Sequence, residues 1–316
     1  MKKKYIAAVM LVMFAFCPVT ALDIESEGLF PEGIAYDQSK DEFLITSLTK
    51  GRISRVTRKG KVTKFIEDKD LISAIGIELD SKNGRIIVCS SDPGVSEKTS
   101  KATQKKIAGM GVYDAKTGKK IKFMDLGKLN DGPNFANDIA VDVEGNIYIT
   151  NSFSPVIYKV DKSYNASIFL QSDAFKGEGF ALNGIDYHPE GFLLVAKSDT
   201  GKLFKVPVAN PASFIEVDQS ENLKGADGIV LIDQNQLAVI SNAQKIIYIL
   251  TTDDQWKSAE LKNALTSPSL EFPTTGTLVK GEFYLLNAKL NQLFGGNKKV
   301  KKFEIYSIKD LQPVKK

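Results

Sequence analysis

The phrase PEGIAYD at residues 31–37 recurs along this chain, and its repetition decides the fold. Full copies are ANDIAVD at 136–142, LNGIDYH at 182–188 and ADGIVLI at 226–232, and weaker copies begin at Ile75 and Thr275. In the full copies an oxygen-bearing side chain is followed by Gly or Asp, then by Ile and a short apolar run. We call the position of that side chain the slot, and the six slots are Glu32, Ile75, Asn137, Asn183, Asp227 and Thr275.

The slots recur at steps of 43, 62, 46, 44 and 48 residues, a period typical of the four-stranded blades of a β-propeller. Between slots, short runs of β-branched and aromatic residues alternate with turns such as VEGN at 143–146, which indicates antiparallel strands. No stretch has helical periodicity over several turns, and no linker divides the chain. The sequence therefore predicts an all-β, six-bladed β-propeller of four-stranded antiparallel blades, in a single domain over residues 22–316.

The last repeat, near residues 275–308, has few strand-like segments left for a fourth strand. The segment LDIESE at 22–27 lies before the first slot and reads as a strand of its own. We predict that this N-terminal strand closes the ring by joining the C-terminal blade, because that pairing hides two open sheet edges.

The first 21 residues have the pattern of a signal peptide. Three lysines at 2–4 precede an apolar run at 5–16, and Val19-Thr20-Ala21 is a small-residue cleavage site. The apolar run is too short to span a bilayer comfortably. We therefore expect the mature chain to begin near Leu22, to be exported to the periplasm or beyond the cell, and not to associate with a membrane.

Composition limits the partners of the mature chain. Removing three lysines takes the formal net charge from +4 to about +1, which gives no electrostatic case for nucleic acid or an anionic membrane. Only Cys89 remains after Cys17 is removed, so no internal disulfide can form. The partner that we expect is a small-molecule substrate.

Four slots carry a carboxylate or an amide: the carboxylates of Glu32 and Asp227 and the amides of Asn137 and Asn183. A propeller brings corresponding positions of its blades together at the axis, so these oxygens are expected to converge. Calcium accepts such an all-oxygen shell, and two carboxylates balance a divalent charge. The alternative is that polar residues here only begin strands and cap turns, as Asn and Asp often do. Four oxygen-bearing slots in register favour a calcium site, with another divalent cation as the alternative occupant.

These phrases resemble those of the regucalcin/gluconolactonase/luciferin-regenerating-enzyme family of six-bladed propellers. A more distant resemblance is to the paraoxonases and the squid-type phosphotriesterase. The Glu of PEGI, the Asn-Asp of blade three, the Asn-Gly of blade four and the Asp-Gly of blade five are similar to the family's metal-binding phrases. The resemblance covers nearly all of the mature chain, and it implies that Glu32, Asn137, Asn183 and Asp227 are the ligands of a central calcium.

Two departures from the family pattern bear on the substrate. Sugar-lactone members usually have an Arg two residues before the Asn of blade three, where this chain has Phe135. That change removes a fork-shaped donor suited to polyhydroxylated substrates, and Ile75 adds apolar surface at the same rim. Paraoxonases use two histidines above the metal, whereas the single His188 lies in a turn on the opposite face. We therefore predict an apolar mouth and interpret His188 as a turn residue.

The ends of the second strands are expected to line the mouth on the slot side of the propeller. We assign substrate contacts there to Asn151 and Asn242, together with Phe135 and Ile75, and expect Ser91, Asp92 and Asn287 to line the same mouth. Lys197 is also assigned there, with three roles open: binding a substrate carboxylate, pairing with a nearby acid, or pointing into water.

The long step in blade two contains an insertion at residues 92–111. It follows the second strand and therefore overhangs the slots. It is either a disordered surface loop or a partial lid over the site.

Two functions fit this sequence. The first is a metal-dependent hydrolase, foremost a lactonase, in which the cation polarises a carbonyl and a carboxylate, Asp227 first and Glu32 second, positions or deprotonates water. Phosphotriester hydrolysis is a neighbouring reaction on the same site. The second function is a non-catalytic propeller that binds a small molecule or protein, with calcium serving stability.

Overall fold

The computed structural model describes residues 21–315. The predicted signal peptide lies outside this range except for its last residue, Ala21. Within the described range, none of the helices has the length and apolar character that a membrane span requires.

Six sheets, antiparallel except for one short added strand, surround a central axis, and each sheet is one blade of a β-propeller. A first strand, β1 (Leu22–Glu25), precedes blade 1, which comprises β2 (Ile34–Asp37), β3 (Glu42–Thr46), β4 (Arg52–Thr57) and β5 (Val62–Glu67). Blade 2 comprises β6 (Ser73–Asp80), β7 (Arg85–Ser91), β8 (Gly109–Asp114) and β9 (Lys120–Asp125). Blade 3 comprises β10 (Ala136–Val141), β11 (Ile147–Asn151), β12 (Val156–Val160) and β13 (Ala166–Gln171).

The second half repeats this order with small additions. Blade 4 comprises β14 (Leu182–His188), β15 (Phe192–Lys197), β16 (Lys202–Pro207) and the short β17 (Ile215–Glu216). Blade 5 comprises β19 (Ala226–Asp233), β20 (Gln236–Ser241), β21 (Ile246–Thr251) and β22 (Ser258–Thr266), and β18 (Asp218–Gln219) and β26 (Gln312–Pro313) extend it at β22. Blade 6 comprises β23 (Pro273–Val279), β24 (Glu282–Asn287) and β25 (Lys302–Ser307). The predicted six-bladed, all-β propeller is confirmed.

The N-terminal strand closes the ring, as predicted. β1 runs antiparallel to β25, with Leu22 opposite Ile305 and Glu25 opposite Lys302, so it is the outermost strand of blade 6. On the axis side, the hydroxyl of Thr274 in blade 6 donates to the carbonyl of Glu32 in blade 1 at 2.7 Å. The first and last blades are therefore joined at the axis by this hydrogen bond and at the rim by the chain that leaves β1.

Helices are few in the described part of the chain. One α-helix, α1 (Leu290–Phe294), lies between β24 and β25, and 3-10 turns occupy Leu126–Leu129, Asp173–Phe175, Pro211–Ser213 and Ile308–Asp310. The helix α1 was not predicted, because five residues are too few to establish a helical period. Its position matters, since Leu290 and Phe294 reach the mouth of the site described below.

The repeated phrase has a physical reason at the axis. In five blades the pairing of the first strand with the second shifts register beside the slot, which is a β-bulge that re-aims the slot side chain. The glycine after the slot lets neighbouring blades approach closely. A Cβ atom at Gly33 would lie 2.5 Å from the carbonyl oxygen of Ile75, and one at Gly184 would lie 2.5 Å from that of Asp227. Any larger residue there would push the inner strands apart.

The blade-two insertion is folded, so the structure does not support the alternative of a disordered surface loop. It ends at residue 108, because the predicted last residues, 109–111, belong to β8. The buried carboxylate of Asp92 accepts hydrogen bonds from the hydroxyls of Thr99 (2.7 Å) and Thr103 (2.6 Å). The ammonium of Lys98 donates to three backbone carbonyls at the Leu71 end of blade 1, at 2.8–3.0 Å. The insertion is thus fixed beside the mouth.

Candidate metal centre and substrate cavity

The four oxygen-bearing slots converge, as predicted. They line two cavities at once, so they form the boundary between them. We call the cavity on the side of the second-strand ends the mouth cavity (about 250 Å³) and the cavity on the other side the axial cavity (about 160 Å³). Besides the four slots, the mouth cavity is lined by Leu48, Ile75, Pro93, Phe135, Phe180, Ser198, Asn242, Ala243, Phe272, Leu290 and Phe294.

Hydrogen bonds orient the amides of the site. The Nδ2 atom of Asn137 donates to Oγ of Ser152 at 2.8 Å, and Ser152 in turn donates to the carbonyl of Leu182. The amide nitrogen of Asn137 is therefore occupied, and its oxygen remains for a ligand. Asn183 lies beside Asp227, where its amide works against the rise in the pKa of that carboxyl.

Glu32 has a buried carboxylate oxygen that no hydrogen-bond donor of the described residues reaches. Its side chain is 8% exposed, and its Oε2 atom has no hydrogen-bond partner among residues 21–315. Burial, and then the nearby carboxylates of Asp227 and Asp138, raise the pKa of Glu32 well above its ordinary value. A buried carboxylate oxygen without a donor is costly, and a cation relieves both the burial and the repulsion.

Asp227 is the second carboxylate of the site. Burial raises the pKa of Asp227 to about 7, although hydrogen bonds from Asn242 and Asn183 oppose that rise. The Nδ2 atom of Asn242 lies 2.9 Å from Oδ2 of Asp227 and fixes the carboxylate in the wall of the mouth cavity. Asn242 therefore lines the mouth, as predicted, but its amide already donates a hydrogen bond to Asp227.

The donor set fits a hard cation. It consists of two carboxylates and two amides, and all four residues line both cavities. No group of three or more His, Cys, Asp or Glu side chains suited to a metal occurs in the part of the chain that the structure describes. A metal at this centre would depend on Asn137 and Asn183 as much as on the two acids.

The axial cavity contains three further acids that the sequence did not single out as site residues. Burial is the main cause that raises the pKa of Asp138 to about 7, of Asp186 to about 6 and of Glu78 to about 8. Asp138 accepts from the backbone N–H of Ile185 (3.2 Å), and Asp186 accepts from that of Leu231 (2.7 Å). These two aspartates connect blade 3 to blade 4 and blade 4 to blade 5. Both lie within the repeated phrases ANDIAVD and LNGIDYH, so the repeat was the sequence signal that could have identified them.

The predicted apolar mouth is present. Phe135 and Ile75 line it as expected, and Phe135 belongs to a cluster of three rings with Phe153 and Phe180, whose centroids are 5.0 Å apart in each pair. Phe180 is 39% exposed and Phe294 is 50% exposed, although both are large apolar side chains. An open apolar surface beside buried carboxylates is the pattern of a site for an apolar small molecule.

Two predicted substrate contacts do not reach the cavity. Asn151 is fully buried; its Oδ1 atom accepts from the backbone N–H of Phe135 at 3.0 Å, so it supports that ring's loop instead. Lys197 is 3% exposed, and both carboxylate oxygens of Asp199 bind its ammonium, at 2.7 and 2.9 Å. Of the three roles left open for Lys197, the ion pair with a nearby acid is the one observed.

Three other second-strand ends were also expected at the mouth and are not among its lining residues. Ser91 donates to the carbonyl of Ala136, Asp92 organises the insertion, and Asn287 accepts from the backbone N–H of Glu271. Each of these side chains makes hydrogen bonds within the protein. The residue type alone did not distinguish that role from substrate binding.

His188 lies outside both cavities, in agreement with its interpretation as a turn residue. It is 2% exposed and stacks on Phe192 with ring centroids 4.2 Å apart. Its Nε2 atom is 2.9 Å from the carbonyl of Gln234, and Nδ1 accepts from the backbone N–H of Glu190. The ring therefore joins blades 4 and 5 at the end of β14.

Sequence comparison identifies one family. The family model described as "SMP-30/Gluconolactonase/LRE-like region" matches residues 30–270, which include the slots of Glu32, Asn137, Asn183 and Asp227. A search of curated proteins finds no match to this chain.

Solved structures share the fold at low sequence identity. The major allergen Mala s 1 of Malassezia sympodialis is 17% identical with a TM-score of 0.74, over 92% of this chain and 96% of that one. A gluconolactonase from Xanthomonas campestris is 13% identical with a TM-score of 0.62, over 91% of this chain and 88% of that one. A luciferin-regenerating enzyme is 12% identical with a TM-score of 0.60, over 91% of this chain and 95% of that one. At these identities the likeness concerns the fold alone.

Proposed function

We propose that this chain, which belongs to the SMP-30/gluconolactonase/LRE-like family, is a calcium-dependent lactonase that hydrolyses apolar lactones or esters. The observation that carries the proposal is the unpartnered, buried Oε2 atom of Glu32 within an all-oxygen set at the floor of an apolar cavity. Glu32, Asn137, Asn183 and Asp227 would hold the cation, with another divalent cation as the alternative occupant.

A bound divalent cation supplies Lewis acidity, which stabilises negative charge on a carbonyl oxygen. The protein contributes the remaining chemistry. Asp227 is the first candidate for the base that positions or deprotonates water, with Glu32 second. Asn242 donates to Oδ2 of Asp227 and so holds this carboxylate in one orientation.

The walls of the mouth cavity select the substrate. Phe135, Phe180 and Phe294 offer apolar surface and no hydrogen-bond donor. Hydroxyl groups of a sugar lactone would lose water there without gaining partners, which costs free energy. Alkyl and aromatic lactones or esters fit these walls better, and phosphotriesters are a neighbouring class for the same centre.

A non-catalytic propeller that binds an apolar molecule is the second candidate. The observation that favours it is the lack of a base beyond the proposed ligands: among the described residues, neither His nor Lys lines the mouth cavity. In this case calcium would stabilise the fold only.

Hydrolysis of a lactone panel separates the two candidates. The panel contains alkyl, aromatic and sugar lactones of equal ring size, each tested with calcium and with chelator. Calcium-dependent hydrolysis of the alkyl lactones supports the proposal. Tight binding of the same lactones without turnover supports the second candidate. We also propose that the protein is exported, on the pattern of residues 1–21, and N-terminal sequencing of the mature protein tests that cleavage.

A further inference from the structure

Ser198 lines the mouth cavity and has no role in the proposed function so far. It follows β15 in blade 4, and both of its backbone groups are engaged: its N–H donates to the carbonyl of Ala181, and its carbonyl accepts from Gly225, each at 2.8 Å. Its hydroxyl has no hydrogen-bond partner among residues 21–315, although the side chain is half-buried. The backbone is fixed, and the hydroxyl is free to meet a ligand.

The equivalent positions of the neighbouring blades behave differently. Ser152 follows β11 and binds the slot residue of its own blade, Asn137; Asn242 follows β20 and binds Asp227. Ser198 is one residue beyond β15 in the same way, but it makes no hydrogen bond to its slot residue, Asn183. The hydroxyl of Ser198 therefore lacks the role that its equivalents in blades 3 and 5 have.

Two of the side-chain amides that line the mouth cavity already make hydrogen bonds within the protein. The amide of Asn137 donates to Ser152, and the amide of Asn242 donates to Asp227. Apart from Asn183 and Ser198, the remaining lining side chains are carboxylates or apolar groups. Among the described residues that line this cavity, Ser198 has the one hydroxyl group, and no protein group accepts a hydrogen bond from it.

We propose that the hydroxyl of Ser198 donates a hydrogen bond to the alkoxy oxygen of the substrate ester group, and stabilises it as it leaves. This inference rests on the proposed function. In the reaction, water adds to the carbonyl carbon and gives one proton to Asp227. The bond from that carbon to the alkoxy oxygen then breaks, the oxygen keeps the electron pair, and it takes the proton back from Asp227. Ser198 keeps its own proton throughout.

The alkoxy oxygen is the atom that needs this donor. The carbonyl oxygen has the cation centre as its partner, whereas the alkoxy oxygen gains charge among apolar walls as the bond breaks. A donor that is already in place stabilises such charge more than it stabilises the uncharged ester, so it acts on the transition state.

The test compares kcat/KM of Ser198→Ala and of wild type, both as the full-length mature protein, for esters whose leaving groups differ in acidity. For an alkyl lactone, whose alkoxide is strongly basic, kcat/KM should fall about 10- to 100-fold. For a nitrophenyl ester the fall in kcat/KM should be under about threefold. Its phenolate leaving group is weakly basic, so the hydrogen bond from Ser198 has little developing charge to stabilise in the transition state. Ser198→Thr keeps the hydroxyl and should restore most of the lactone rate.

Two controls separate this role from a structural one. Ser81→Ala removes an exposed hydroxyl from the turn between β6 and β7 on the opposite face, and should leave both rates unchanged. Calcium affinity and melting temperature should be the same in Ser198→Ala and wild type. A rate loss of equal size on every ester, or a loss that follows weaker calcium binding, would overturn the proposal. A wild-type protein that hydrolyses none of the esters would instead overturn the proposed function itself.

Discussion

The two cavities that meet at the slot residues differ in chemistry although one repeated phrase builds both. The mouth cavity is walled by aromatic and aliphatic side chains from strand ends, the insertion and α1, whereas the axial cavity is walled by the first strands and contains Glu78, Asp138 and Asp186. The bulge beside the slot turns one polar side chain toward the centre, and the following residues line the axis. The inner strands thus set the charge of the site, while the irregular segments set its selectivity.

The largest expected effect is on the reaction rate, through the carboxylate at the floor of the mouth cavity. Asp227→Asn keeps an oxygen but removes the negative charge and the base, so kcat should fall by about 10³-fold or more while the protein still folds. The matched control is Asp233→Asn, at the exposed end of β19, which should keep wild-type turnover. Near wild-type turnover in Asp227→Asn would show that the base has been assigned to the wrong residue.

Glu32 should behave as a ligand more than as a base. In Glu32→Gln the unpartnered oxygen becomes part of an uncharged amide group, so calcium affinity should fall by about 10- to 100-fold, which corresponds to losing a charge-assisted contact. Titration calorimetry measures this fall, and added calcium should restore part of the hydrolytic rate. If the rate stays low at saturating calcium, Glu32 has a role in the reaction beyond binding.

The walls of the mouth cavity predict a smaller effect, on substrate preference. The ratio of kcat/KM for an alkyl lactone over a sugar lactone of equal ring size should exceed about tenfold in the wild type. Phe135→Arg introduces a fork-shaped donor at the rim and should lower this ratio. A wild-type preference for the sugar lactone would contradict the role of Phe135 and would require a donor from elsewhere on the rim.

The smallest expected effect comes from the acids of the axial cavity, and it is on the stability of the fold and not on the reaction rate. Glu78, Asp138 and Asp186 have raised pKa values in the folded protein, so the folded state holds its protons to higher pH than the unfolded chain does. Their contribution is fully present below about pH 4 and is lost as pH rises through about 6 to 8. In the presence of chelator, the melting temperature should therefore fall by several degrees between about pH 5 and pH 8.

Substitution at Glu78 checks the source of that fall. Glu78→Gln removes one of the carboxyls with a raised pKa and breaks no hydrogen bond of Glu78 that the described residues contain, so the decline with pH should become shallower. Glu144→Gln, at an exposed turn of blade 3, is the control and should leave the decline unchanged. A steeper decline in Glu78→Gln would contradict the claim that ionisation of Glu78 destabilises the folded state.

The repeat predicted the parts of the molecule that depend on period and register. The six blades, the closure by Leu22–Glu25 and the convergence of the four slots all follow from spacing, because a propeller places equivalent positions at equivalent radii. Asn151 and Lys197 were wrongly placed at the mouth, because a polar residue at a strand end serves either a loop or a ligand. Only the positions of their partners distinguish these uses: Phe135 lies 16 residues before Asn151, and Asp199 lies two residues after Lys197.

The irregular segments were the least predictable. Phe180, Phe272 and Phe294 line the mouth from loops and from α1, where neither a strand period nor a helical period applies. Ser198 was also missed, since its free hydroxyl becomes visible only once the hydrogen bonds of Ser152 and Asn242 are known. Such contacts depend on how loops fold over the rim, which local sequence does not determine.

Calcium binding by the purified protein tests the proposed metal centre most directly. We predict one calcium per chain and a melting temperature that rises on calcium addition and falls on chelation. At free calcium of about 100 times Kd, the native state gains about 2.7 kcal/mol, which corresponds to a rise of several degrees. Glu32→Gln should show a smaller rise at the same calcium concentration. A wild-type protein that contains no divalent metal, and whose melting temperature does not respond to calcium, would contradict a cation site at the four slots.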